Sequence, residues 1–251
     1  MSVNPELETV RQEIDRVDRA MLDLIAERLA LSADVRRAKS TETGAGAKLW
    51  RPSREDSHVA DLVAMARGTD TPPALVSRIW AELMSASISV QGSTRLHFAL
   101  EGDARANLSL IRDRFGGSLP LSSYPTSSAA LAAAYGDAEG IAVVPAPGGM
   151  THWWTALAPG GAMPDFKIVA SLPRIGEDGW PKAVAVAAIA LDADLSGGRV
   201  LHVSRKAEGG TLRAESGELR LYESPGDRFE GDRDTVIGFL SAPVSTAPSS
   251  A

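Results

Sequence analysis

Apolar residues in the first third of the chain recur at helical spacing. Leu7, Val10, Ile14, Val17, Met21, Leu24, Leu31, Val35 and Ala38 follow alternating steps of three and four, which predicts one long helix over 5–41. The stripe is interrupted between Leu24 and Leu31, where Arg28 occupies the apolar position. Gly44 and Gly46 break the pattern into a loop over 40–49. A second helix is predicted over 52–67, with Val59, Leu62, Val63 and Ala66 on one face. Gly68 ends it, and 69–73 turn into a third helix that reaches Gln91. At 1.5 Å per residue the first helix is about 55 Å long, roughly twice the length of either companion. Two short helices cannot cover so long a stripe, so a second copy of the chain is expected on the remaining seam.

After Gly92-Ser93-Thr94 the period changes. Strand patterns at 95–99, 140–144, 168–172, 184–191 and 200–203 alternate with helical patterns at 107–115 and 126–135. Strand candidates at 219–223 and 236–240, joined by Ser224-Pro225-Gly226-Asp227, read as the remnant of a small regulatory domain. The expected fold class is α+β multidomain: an N-terminal three-helix, dimer-forming all-α domain over 1–92, then an α/β domain over 95–243. The small, polar stretch 244–251 reads as a disordered tail.

The composition narrows the classes of function. The 251 residues include 44% hydrophobic and 23% charged residues, an ordinary balance for a globular protein. A net charge of -6 argues against nucleic acid as a partner. No apolar run approaches the ~20 residues a membrane-spanning helix needs. No secretory pattern opens the chain, and a cytoplasmic location is expected. With no cysteine, disulfides and thiolate chemistry are excluded. The four histidines, His58, His97, His152 and His202, show no ligand spacing and read as surface or loop residues. Trp153-Trp154 reads as a packing pair.

A charge on an apolar seam is costly without a partner, which singles out Arg28. Lys39 lies eleven residues on, about 20° away around the helix and ~16 Å along it, so two long cations lean toward one small dianion. Arg11 is about 25 Å before Arg28 and cannot serve the same ligand within one subunit, although a partner copy in an antiparallel dimer can supply it. Ser87 and Gln91, one turn apart, lie with Trp80 and Leu83 on one face of the third helix, and Glu55 follows Arg54 at the start of the second. Each has a plainer reading. Arg28 can set register, Lys39 can complement the helix dipole, and Glu55 can be a first-turn charge. Ser87 can allow close packing, and Gln91 can be a fraying end.

Taken together these residues resemble the chorismate mutases of the all-helical type. The resemblance spans 7–91: arginine, arginine and lysine along the first helix, Arg54-Glu55 at the second, and Ile79-Trp80-Ala81-Glu82-Leu83-Met84-Ser85-Ala86-Ser87 in the third, with Gln91 four residues later. It implies a cofactor-free, homodimeric enzyme that converts chorismate to prephenate by an intramolecular Claisen rearrangement. Arg28 and a partner-chain Arg11 would clamp the carboxylates, and Lys39 and Gln91 would donate to the ether oxygen. Glu55 would accept from the ring hydroxyl, and Ser87 would help hold a carboxylate. The family often has aspartate where Arg51 stands. Arginine is a poor helix N-cap, so the cap is expected to move to Ser53, with Asp56 completing a box; a substrate contact made at this position by the backbone amide survives in Arg51, and one made by the carboxylate is lost.

Residues 95–205 faintly resemble the catalytic domain of prephenate dehydratase, through the helix–strand–proline rhythm from Thr126 to Pro145. The family's glutamate and asparagine are replaced by Pro147 and Gly148, and its threonine–arginine–phenylalanine triplet has no counterpart closer than Ser204-Arg205-Lys206. A degenerate domain without dehydratase activity is expected. Three alternatives stay open: a bifunctional mutase–dehydratase, a pyruvate-releasing lyase on the same helical scaffold, and a non-catalytic dimerisation module with a ligand-sensing domain.

Overall fold

The computed structural model describes residues 5–42, 50–92, 94–148, 151–177 and 179–245, without the side chains at 36, 38–42, 90 and 91. Three helices lead, α1 (Pro5–Glu42), α2 (Pro52–Ala66) and α3 (Pro73–Gln91). Each has proline in its first turn, where the missing N–H costs nothing. Exposed pairs Arg11–Glu8, Arg16–Glu13 and Arg37–Asp34, each three residues apart, support α1. Every residue of α1 from 5 to 24 is exposed, so about 30 Å of helix projects from the body. Only the following turns settle against α3, with Ile25, Arg28, Leu29 and Ser32 partly buried. None of the described helices is long and apolar enough to cross a membrane.

The second half is one sheet of nine strands in the order β2-β1-β3-β5-β4-β9-β6-β8-β7. These are β1 (Arg95–Phe98), β2 (Leu121–Ser123), β3 (Gly140–Pro145), β4 (Lys167–Leu172), β5 (Ala183–Ala187), β6 (Gly198–Ser204), β7 (Thr211–Ser216), β8 (Leu219–Pro225) and β9 (Val236–Ser241). Its helices are α4 (Ala104–Phe115) and α5 (Ser127–Tyr135), capped by Asp103 and Thr126, whose side chains accept from Ala106 N and Ala129 N. Strands β1, β2 and β3 run parallel, whereas β3, β5 and β4 alternate, as do β9, β6, β8 and β7. Period-two alternation builds a core on each face. Val184 and Val186 of β5 pack with Trp154 and Leu157 on the α5 side, while Ala183, Ala185 and Ala187 face the side of α4. Alanine there lets helices approach closely.

Several expectations are corrected. The last strands are no separate regulatory remnant, because β9 lies in the middle of the sheet between β4 and β6. The chain does not leave the body at 244. Val244 is buried, its N–H donates to Arg174 O at 2.9 Å, and it bridges Ile175. The rest of the expected tail, 246–251, lies outside the described residues. Strands β2 and β7 escape the sequence reading; β2 is three residues long and β7 mostly polar. His97 and His202 are buried on strands. His97 bonds Tyr124 Oη at 3.0 Å and Asp137 at 3.2 Å, and His202 Nε2 bonds Ser224 Oγ at 3.1 Å. Trp153 and Trp154 are core residues, as their pairing suggests.

The halves share a core across the boundary at 92–95. Trp50 and Ile88 are buried with Leu96, Ile111, Phe115 and Leu119, and Val244 packs among Val59, Val63 and Met84. Gly116 closes α4 at φ 66, and a Cβ there would stand 2.8 Å from Ser85 Cβ. A left-handed glycine is what lets α4 press against α3. Gly117 N donates to Glu82 at 2.9 Å, and Arg78 pairs with Asp113 at 3.0 Å across the same contact.

Candidate active site

The interrupted stripe of α1 meets the third helix at Arg28. Its Nη1 donates to Leu83 O at 3.2 Å and Ser87 Oγ at 3.1 Å. Ser87 Oγ in turn donates to Leu83 O at 2.7 Å, and Ser32 Oγ lies 3.1 Å from it. Ser32 sits one turn after Arg28, so both reach the same hydroxyl. Burial lowers the Arg28 guanidinium from its usual range, and the Glu55 carboxylate opposes that shift. A guanidinium has five N–H groups, and among the described residues Arg28 uses one nitrogen on neutral acceptors, which leaves donors for an anion.

Glu55 faces Arg28 from the first turn of α2. Its Oε2 accepts from Trp50 Nε1 at 3.1 Å and from Arg174 Nη2 at 3.4 Å. Among the described residues Oε1 is therefore the oxygen available to a ligand. Burial pushes the Glu55 carboxyl above its usual range, while Arg114 and Arg174, together with the Trp50 hydrogen bond, pull it back.

Between these groups lies a cavity of about 320 Å³, lined by Arg28, Ser32, Val35, Arg51, Arg54, Glu55, His58, Met84, Ser87 and Ile88. The volume suits a small molecule. Among the described residues three guanidiniums face one carboxylate, so the lining favours an anion that also offers a hydroxyl. Val35, Met84 and Ile88 form its apolar part. Arg51 and Arg54 also line a second cavity of about 570 Å³ between the start of α2 and the sheet. Among the described residues no group of three or more histidine, cysteine, aspartate or glutamate side chains is placed to hold a metal ion.

The structure thus brings together Arg28, Glu55, Ser87 and Arg51 of the residues singled out in the sequence. Lys39 lies in the last turns of α1 and Gln91 ends α3, but the side chains of both fall outside the described residues. Arg11 is not at the cavity of its own chain. It stands on the projecting part of α1, paired with Glu8 at 3.9 Å. The sequence reading gives Ser32, His58 and Trp50 no site role, and Arg54 enters it only as half of the pair with Glu55. The pair Arg54-Glu55 already held the signal for Arg54, and Ser32 stands one helical turn from Arg28.

The expected cap of α2 is corrected. The N-cap is Arg51, with no side-chain hydrogen bond, so Ser53 and Asp56 form no box. Asp56 is buried instead, pairing with Arg114 of α4 and, at 3.1 Å, with Arg174 Nε from the turn after β4. Burial beside Arg114 brings the Arg174 guanidinium down to about 10. An interdomain ion cluster has taken the carboxylate that a local cap would have used.

Residues 10–92 match the family described as chorismate mutase type II. The T-protein of Enterobacter agglomerans is 38% identical over 82 residues, which is 33% of this chain and 21% of that protein. The chain therefore spans about a fifth of the length of the curated relative it matches. No solved structure gives a significant match.

Proposed function

We propose that the helical half of this chain is a chorismate mutase acting in aromatic amino acid biosynthesis, and that it works as a homodimer. The observation that carries this reading is the cavity itself: Arg28, Glu55 and Ser87 converge there from three helices, in the part of the chain that matches the family. The reaction breaks one carbon–oxygen bond and forms one carbon–carbon bond within a single molecule, with no proton or electron exchanged. It asks for a held conformation and for donors placed where negative charge grows. Arg28, fixed by Leu83 O and Ser87 Oγ, is a preorganised donor for a carboxylate. Glu55 Oε1 accepts from the ring hydroxyl, and Lys39 and Gln91 serve the ether oxygen. Arg51 and Arg54 add positive charge at the mouth.

The dimer reading rests on the bare half of α1, a stretch that as an isolated helix is marginal in water. A second copy laid antiparallel along it covers the stripe and carries Arg11 toward the neighbouring cavity. The second half of the chain we read as a dehydratase-like fold without dehydratase chemistry, since Pro147 and Gly148 stand where acid and amide are needed. A soluble, cytoplasmic enzyme with no nucleic-acid or membrane partner completes the reading.

The test is consumption of chorismate by the purified protein, followed by absorbance. Arg28→Ala and Lys39→Ala should each abolish most of the rate; a wild-type rate no faster than the variants removes the enzyme reading. Mixing inactive Arg11→Ala and Arg28→Ala chains tests the shared cavity. Hybrids of equal mixing carry one intact cavity in two, so about a quarter of wild-type activity should return. No recovery in dimers shown to exchange subunits would place Arg11 outside the site. Phenylpyruvate formed from prephenate would overturn the reading of the second half.

A further inference from the structure

We infer that Arg174, which belongs to the sheet half of the chain, is a positioning residue for the candidate mutase site, holding Glu55 in its working geometry from behind. The inference rests on the mutase reading for the role of Glu55. Its basis is a buried cluster of two guanidiniums and two carboxylates drawn from three places in the chain. Arg174 follows β4, Arg114 ends α4, and Glu55 and Asp56 open α2. Arg174 spans both carboxylates, with Nε on Asp56 at 3.1 Å and Nη2 on Glu55 at 3.4 Å. Arg114 pairs with Asp56. Arg174 is 3% exposed and Arg114 2%, so neither cation is a surface ornament.

The backbone of Arg174 is fixed as well, because its carbonyl accepts from Val244 N at 2.9 Å and the next residue bridges that strand end. A planar fork anchored in this way dictates where a carboxylate can lie. Trp50 Nε1 supplies the other restraint on Oε2, and Oε1 is left for the ligand. The helical domain therefore does not hold its own acceptor alone. Its partner is more than one hundred residues away in sequence.

Any cation this close to Glu55 favours its ionised form and so governs its titration. A positioning role adds that the planar fork, and not the charge alone, sets the rate, so a lysine that keeps the charge should keep the titration and lose activity. Among the described residues, the charged and titratable groups around Glu55 are Arg28 on α1, Arg51 at the N-cap of α2, Arg54, Asp56 and His58 on α2, Arg114 on α4, and Arg174. Removing Arg174 leaves burial to act with less opposition, so the carboxyl should take up its proton at higher pH.

The experiment uses the full chain as wild type, Arg174→Gln and Arg174→Lys. One readout is kcat/KM for chorismate against pH; the other is the substrate-free titration of the Glu55 carboxyl by ¹³C NMR, assigned with Glu55→Gln. Arg174→Gln should move the acid limb and the carboxyl midpoint upward together by about 1 pH unit, costing roughly 5-fold in kcat/KM at the wild-type midpoint and approaching about 10-fold below it. Arg174→Lys should keep both midpoints near wild type while lowering the rate, since it keeps the charge and loses the fork. Unmoved midpoints in folded Arg174→Gln overturn the inference. A wild-type rate in Arg174→Lys overturns it as well, whether or not Arg174→Gln folds. If the wild type consumes no chorismate, the mutase reading fails, and the carboxyl titration still decides whether Arg174 governs Glu55.

Discussion

The sharpest expectation concerns two apolar residues left exposed in the single chain. Val17 and Met21 stand on the projecting half of α1, about half exposed like Leu7, Val10, Ile14 and Leu24 along the same stripe. Full burial of such a side chain contributes about 1.5–3 kcal/mol, so a partner helix gains roughly half of that, ~0.7–1.5 kcal/mol, at each position. Six positions on each of two chains give a gross ~9–18 kcal/mol, to be set against an association cost of about 4–15 kcal/mol. The margin is small enough for two substitutions to reverse it. Changing Val17 and Met21 together to glutamate removes four buried side chains from the dimer, ~3–6 kcal/mol, before any cost of desolvating four carboxylates. The dissociation constant should therefore rise at least 10²- to 10⁴-fold, at about 1.4 kcal/mol per decade. Sedimentation equilibrium measures this directly, and chorismate consumption should fall with the dimer fraction as Arg11 is withdrawn. Helicity at 222 nm should fall too, since the freed end of α1 loses its cover. A wild type that is monomeric at concentrations where it turns over would refute the reasoning. So would a doubly substituted protein that stays dimeric and fully active.

Further expectations follow from the site and from the core. Arg28→Met, which keeps the apolar stem and removes the donors, should lower kcat/KM by about 10²–10³-fold with little loss of stability, measured by steady-state kinetics and thermal unfolding. Arg114→Met leaves Asp56 buried with half its compensation and should cost about 3–5 kcal/mol in a denaturant titration. Removing the whole cluster to apolar residues should cost less, because Arg114 Nε and Nη2 and Arg174 Nη1 make no hydrogen bond among the described residues. Burial lowers the His202 pKa from its ordinary 6.5, with Glu208 opposing. The unfolded chain then binds the proton more readily, so stability is full above the unfolded pKa and is lost as pH falls through the folded one. Unfolding midpoints between about pH 7 and pH 5 should fall less steeply in His202→Gln than in the wild type.

The amino-acid order alone determined what depends on near neighbours. The limits of α1, α2 and α3 follow from apolar spacing, proline and glycine, and the shared face of Leu83 and Ser87 follows from one helical turn. Arg28 declares itself as a charge where the period demands a hydrocarbon. Such features need only the geometry of a single helix, which is the same wherever the helix lies. What the tertiary structure decided depends on partners far along the chain. Asp56 was free to cap α2 and instead pairs with Arg114 and Arg174, because a buried guanidinium competes more strongly for a carboxylate than a solvated helix end does. The insertion of β9 between β4 and β6 and the burial of His97 and His202 have no local signature, since a strand pattern states which residues face inward and not which strand lies alongside. The same holds for Glu55: its charge is plain in the sequence, and the cation that holds it is settled only by the fold.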